Sequence, residues 1–147
     1  MEGLSLDTVE EIDYEVAKRD FKFFFEDILG FQLSHHHEEW YNNLESQRRY
    51  CVKAARDHGK STLFLCYLLW KVAFNPKCKA VLISHSLHQS IHHMRTLNDL
   101  IDGIPFMARM KKPDSWSKTF FGFDNGSNIS AKSVGGAIRG IHPDLIL

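Results

Sequence analysis

The 147-residue sequence predicts an α/β fold, a three-layer sandwich around a mostly parallel sheet that is incomplete at its C-terminal end. Three observations predict it. Tyr50-Cys51-Val52-Lys53-Ala54 is a short strand-like run that leads directly into Ala55-Arg56-Asp57-His58-Gly59-Lys60-Ser61-Thr62. The stretch from Leu63 to Phe74 is apolar almost all round, which suits a helix buried against a sheet. Ala80-Val81-Leu82-Ile83-Ser84 is a continuous apolar run, the mark of a central parallel strand.

The remaining elements follow in chain order. Residues from about Thr8 to Leu29 repeat at helical spacing, with Ala17, Phe21, Phe24 and Ile28 on one stripe, and Gly30 is placed to end the helix. A second helix is expected after Ser34, whose hydroxyl can cap it, carrying Trp40, Tyr41 and Leu44. Asn75-Pro76 stops the apolar helix. Beyond the central strand, Leu87, Ile91, Met94, Leu97 and Ile101 define another amphipathic helix, which ends near Gly103-Ile104-Pro105. Phe120–Phe123, the turn Asp124-Asn125-Gly126-Ser127 and Asn128–Val134 read as a hairpin. After His142-Pro143-Asp144, the run Leu145-Ile146-Leu147 begins another apolar strand and the sequence stops inside it, so the expectation is of a fragment.

Composition sets bounds. The chain is 44% hydrophobic and 24% charged, inside the ordinary globular range, so one folded core is expected rather than disorder. Eighteen basic residues balance eighteen acidic ones, which gives no global signature of a nucleic-acid binder; any DNA contact has to come from a local patch. Cys51, Cys66 and Cys78 lack metal-ligand spacing and read as reduced thiols of an intracellular protein. The N-terminal residues lack a signal-peptide pattern, and Leu63–Phe74 is too short to span a bilayer, so no membrane partner is expected.

Strand, Gly-Lys-Ser loop and helix form the context that a phosphate loop requires. Backbone N–H groups around such a loop converge on phosphate, and the helix adds its positive dipole end. Gly59 allows close backbone approach, Lys60 supplies a point charge to β- and γ-phosphates, and Ser61 is placed to ligate Mg²⁺. The candidate cofactor-binding residues are therefore Ala55 to Thr62, namely Ala55, Arg56, Asp57, His58, Gly59, Lys60, Ser61 and Thr62, for a nucleoside triphosphate with Mg²⁺ whose base these residues do not specify. The usual pattern starts with glycine, and here that position holds Ala54. Arg56 reads from the residues alone as a solvated loop arginine, the alternative being a cation that reaches phosphate from within the loop.

An ordered series of motifs resembles the ATPase domain of tailed-phage terminase large subunits. It comprises Arg56–Thr62, Trp70, Asn75-Pro76, Val81–Ser84, Trp116-Ser117 with the hairpin, and Ala131–Val134, Gly135–Gly140 and His142–Leu147. The likeness covers roughly residues 31 to 147, leaving 1–30 as an N-terminal helical segment. It implies a partial P-loop NTPase domain running from the Walker A loop to the start of the Walker B strand, with the family's nuclease domain absent. The family's strand ends in an acidic pair that this sequence does not reach; Asp144 precedes the strand and is not that acid. The resemblance thus implies ATP as the nucleotide, its hydrolysis by the intact protein and negligible turnover by the isolated chain. It makes Arg139 a candidate arginine finger, with loop stabilisation as the alternative, and places Lys60, Arg56 and Arg139 as the catalytic candidates. It further implies double-stranded DNA, a portal protein, a small terminase subunit and copies of the same chain as partners. The location implied is the host cytoplasm, at the procapsid during assembly and not in the mature virion. Two rivals stay open: another P-loop motor such as a helicase or transposition ATPase, and a truncated non-catalytic nucleotide-binding or assembly module.

Other signals read as structural. His35-His36-His37 point in different directions on a helix, so a shared metal is not expected. His88 and His92 lack a third ligand and read as a solvated face, while Phe21, Phe24 and Phe25 read as core. Trp40 and Tyr50 are read as core aromatics rather than base-stacking groups.

Overall fold

The computed structural model describes residues 6–55, 59–136 and 142–147. Its centre is helix α4 (Lys60–Phe74), ten of whose 15 residues are buried, as the all-round apolar sequence dictates. Helix α4 ends at Asn75. Its last carbonyls, which no helical N–H can reach, are taken by the tip of the hairpin that follows later in the chain. Asn125 Nδ2 donates to the Val72 and Ala73 carbonyls at 2.9 and 3.3 Å, and the buried Ser127 hydroxyl donates to Val72 at 2.7 Å.

The N-terminal segment packs on this helix but is not the single helix expected from Thr8 to Leu29. Helix α1 (Leu6–Arg19) stops at Asp20, whose backbone is extended and whose carboxylate accepts from the N–H groups of Lys22 and Phe23. A short aspartate that offers the backbone an acceptor outcompetes helix continuation here. The chain restarts as α2 (Phe21–Phe23), widens into a π-helical turn over Phe24–Ile28, and leaves it through Gly30 at φ 79°. Ala17, Phe21, Phe24 and Phe25 lie in one core with α4, and the Trp70 indole donates to the Ala17 carbonyl at 2.7 Å. Helix α3 (His35–Ser46) begins after Ser34 as expected, and Trp40, Tyr41 and Leu44 pack against the same core.

Strand β1 (Lys79–Ser84), helix α5 (Leu87–Asp102) and the hairpin β3 (Phe120–Phe123) and β4 (Asn128–Ser133) lie where the sequence placed them. Two elements were not foreseen: helix α6 (Pro105–Met110) and strand β2 (Lys111–Trp116), which adds to the hairpin. With β5 (Leu145–Ile146) they give a five-stranded sheet of order β2-β3-β4-β1-β5. Strand β1 pairs in parallel with β4 and β5, whereas β2–β3 and β3–β4 are antiparallel. The sheet is therefore mixed rather than mostly parallel, because the tight turn at Asp124–Ser127 reverses the chain.

The expected strand Tyr50–Ala54 is not formed. Cys51, Lys53 and Ala55 are exposed, Val52 and Ala54 are only half-buried, and the run pairs with no strand among the described residues. Without a ladder partner, β-forming side chains do not make a strand. The third layer is likewise not among the described residues. Ala80, Leu82, Phe121, Phe123, Ile129 and Ala131 join the helices in one core; on the other sheet face Val81 is buried at the centre, while Lys79, Phe120 and Ile146 around it are exposed. What is present is an α/β arrangement with its helices on one face of a mixed sheet.

Candidate functional site

Gly59 is the N-cap of α4 and is left-handed, at φ 70° and ψ 19°, a conformation that an L-residue adopts at a cost. Its carbonyl accepts from Leu63 at 2.9 Å, so the helix starts in register at Lys60. The N–H groups of that first turn have no partner within the helix by geometry, and they sit at the positive end of its dipole. No acidic residue lies in the first turn of α4. Lys60 places its ammonium at this positive end, and it makes no ion pair with another described residue. Lys60 and Thr62 are half-buried, and Ser61 and Ala55 are exposed. Arg56, Asp57, His58 and Arg139 lie outside the described residues.

Ser61 opens onto a cavity of about 120 Å³ lined also by Phe64 and Leu65 of α4, Leu82, Ile83 and Ser84 of β1, His93 of α5, and Leu147. This hollow lies at the carboxyl ends of the parallel strands β1 and β5, the edge at which open α/β sheets receive ligands. At the opposite, amino ends of the two strands, β5 is held by a two-point clamp. Asp144 N–H donates to the Lys79 carbonyl at 2.8 Å, and Lys79 N–H donates back to Asp144 Oδ2 at 2.9 Å. Asp144 thus aligns a strand, in keeping with its place ahead of the strand. A wider groove of about 620 Å³ runs along α1 from Glu11 to Asp20, away from Lys60 and Ser61 in its lining, and brings no comparable set of groups together.

Two histidines belong to the site that sequence reading passed over. His37, 8% exposed, places its imidazole directly on Gly59: a Cβ built there would lie 2.9 Å from Nε2 and 3.1 Å from Cε1. Its Nδ1 accepts from Ser34 N–H at 3.3 Å and lies 2.9 Å from Ser34 Oγ. The legible signal was spacing, since Ser34 and His37 stand at the N-cap and third helical positions that form a capping box. Of the three consecutive histidines, His35 is exposed, His36 half-buried and His37 buried. His93 is half-buried at the cavity, and burial, then the neighbouring His92, holds its imidazole below the usual range. His88 and His92 are exposed on α5. The exposed Tyr50 phenol accepts from Asn43 Nδ2 at 3.3 Å and lies outside the core. Cys66 is inert by burial, its thiol pushed up to about 12.

The chain is similar to the protein described as "Terminase, large subunit" of Enterobacteria phage T3, at 25% identity over 107 residues covering 68% of this chain. The chain spans 18% of that relative's length. No family model matches. The likeness supports a terminase-like relationship over two thirds of the chain. Among the described residues, no helix is long and apolar enough to cross a membrane.

Proposed function

We propose that the chain is the N-terminal, nucleotide-binding part of a phage DNA-packaging terminase large subunit, with ATP and Mg²⁺ as its ligands. The observation that carries this reading is the junction at Gly59-Lys60-Ser61. A left-handed glycine opens a buried helix, a lysine stands at its positive end, and a serine faces a hollow at the carboxyl edge of parallel strands. That donor set fits a polyphosphate: backbone N–H groups and Lys60 are all cationic or dipole-positive, with no competing carboxylate in the turn. Lys60 would hold phosphate, Ser61 the metal, and Thr62 would extend the turn, with Ala55, Arg56, Asp57 and His58 completing the loop. Bound Mg²⁺ would neutralise charge on the phosphoryl oxygens during transfer. Arg56 and Arg139 would compensate charge, Arg139 from one copy of the chain to the next.

The similarity to a terminase large subunit extends the reading to its setting. Double-stranded DNA, a portal protein, a small terminase subunit and further copies of the chain are the partners proposed, and the procapsid in the host cytoplasm is the place. Calorimetric titration of MgATP into the 147-residue chain, beside Lys60→Ala, tests the nucleotide site. Binding that disappears in the variant is the expected result. A folded chain that binds no MgATP, or a Lys60→Ala variant that binds as well as its parent, would overturn the reading.

A further inference from the structure

We propose that His37 is a positioning residue for the phosphate loop, its imidazole acting as the wedge that holds Gly59 in its left-handed turn and so aims the first N–H groups of α4. This rests on the nucleotide-site reading for its purpose, though not for its geometry. His37 belongs to α3, and Gly59 opens α4, so the contact ties two helices at the start of the candidate loop. The ring has little freedom. Ser34 N–H donates to Nδ1, and Phe25 and Trp40 flank it with ring centroids 6.2 and 5.5 Å away. Nδ1 accepts that N–H, and Nε2 is the atom turned toward Gly59. The imidazole therefore serves twice: one nitrogen caps its own helix, and the opposite edge fills the space that a side chain at residue 59 would need.

The two roles separate chemically. Glutamine at the third helical position is the ordinary capping-box partner, so His37→Gln keeps the cap and removes the rigid ring. The full chain, its His37→Gln variant and Lys60→Ala are compared by three readouts: melting temperature, amide hydrogen exchange of the 59–65 segment without nucleotide, and MgATP affinity by calorimetry. His37→Gln is expected to melt near the parent, to exchange about tenfold faster in that segment, and to bind MgATP about tenfold more weakly. Exchange and affinity both equal to the parent's would overturn the proposal, leaving His37 a cap alone. If neither parent nor Lys60→Ala binds MgATP, the nucleotide reading fails by itself. The exchange comparison still decides the wedge: faster exchange supports it and unchanged exchange refutes it. Should His37→Gln not fold, Gly59→Ala presses on the same contact from the other side. Faster exchange over residues 34–40 is then expected, and no change there would refute the contact.

Discussion

Replacing Gly59 by alanine puts two separable costs on one position. The first is conformational: a left-handed L-residue costs about 1–2 kcal/mol relative to a right-handed one, whatever surrounds it. The second is steric, because the new Cβ would sit 2.9 Å from His37 Nε2. The ring can yield only by moving away from Ser34 N–H, which forfeits a hydrogen bond worth about 1 kcal/mol and disturbs the packing between Phe25 and Trp40. Gly59→Ala should therefore lose about 2–3 kcal/mol in the parent chain. In a His37→Ala background the steric part is gone, and the same change should lose only about 1–2 kcal/mol. Urea unfolding followed by tryptophan fluorescence and far-ultraviolet circular dichroism gives the four free energies of the cycle. A coupling of about 1 kcal/mol is expected, and a cycle that closes within about 0.3–0.5 kcal/mol would refute the contact, since that is the additivity of independent sites.

Asp144→Ala removes the carboxylate that Lys79 N–H reaches at 2.9 Å and should cost about 1–2 kcal/mol, whereas Asp144→Asn keeps an acceptor and should recover most of it; equal losses would mean that the clamp is not the cause. His93 should impose an acid penalty on stability. Its imidazole is held low in the fold by burial and His92, so below the unfolded value near 6.5 the unfolded chain binds more protons and stability falls as pH drops. Above that value its contribution is flat. Urea midpoints measured between pH 7.5 and 5.5 should decline less in His93→Leu than in the parent, and identical slopes would show that His93 is not the group responsible.

How much of this was legible in the sequence depended on whether each signal was self-sufficient. Helix α4 from Leu63 to Trp70 and strand β1 from Ala80 to Ile83 are continuous apolar runs, and such segments are buried wherever the chain goes. Helix α5 announced itself by its spacing, and the hairpin by its turn residues. Tyr50–Ala54 has the side chains of a strand, but a strand exists only with a neighbour, and pairing is not written in five residues. Asp20 interrupted a helical stripe that its apolar positions, Ala17, Phe21 and Phe24, continue straight through, because the stripe records burial and not hydrogen bonding. At the candidate site, the order Gly59-Lys60-Ser61 is what singles out these residues in the sequence. His37 is not singled out, since its partner is 22 positions away and nothing local says that α3 will rest on the loop.

The proposed anion site at the α4 N-terminus makes a demand opposite to that of helix stability. A helix start with no acidic residue in its first turn and a lysine at its first position places like charge against the positive end of the dipole. A sequence selected for helix stability alone would put a carboxylate there, whereas a polyphosphate site favours the lysine. Lys60→Glu separates the two demands. Removing an opposing cation and adding a favourable anion are each worth about 0.3–1 kcal/mol near a helix end, so the variant should be more stable than the parent by about 1 kcal/mol. In a chain of this size that raises the melting temperature by about 2–4 °C. The same change turns the attraction for polyphosphate into repulsion, and MgATP binding should vanish. Salt distinguishes this from a packing effect, because the gain should shrink as ionic strength rises. A Lys60→Glu chain that is less stable than its parent at low salt would show that the ammonium is already neutralised within the fold, and the argument for an anion site at Gly59-Lys60-Ser61 would lose its electrostatic basis.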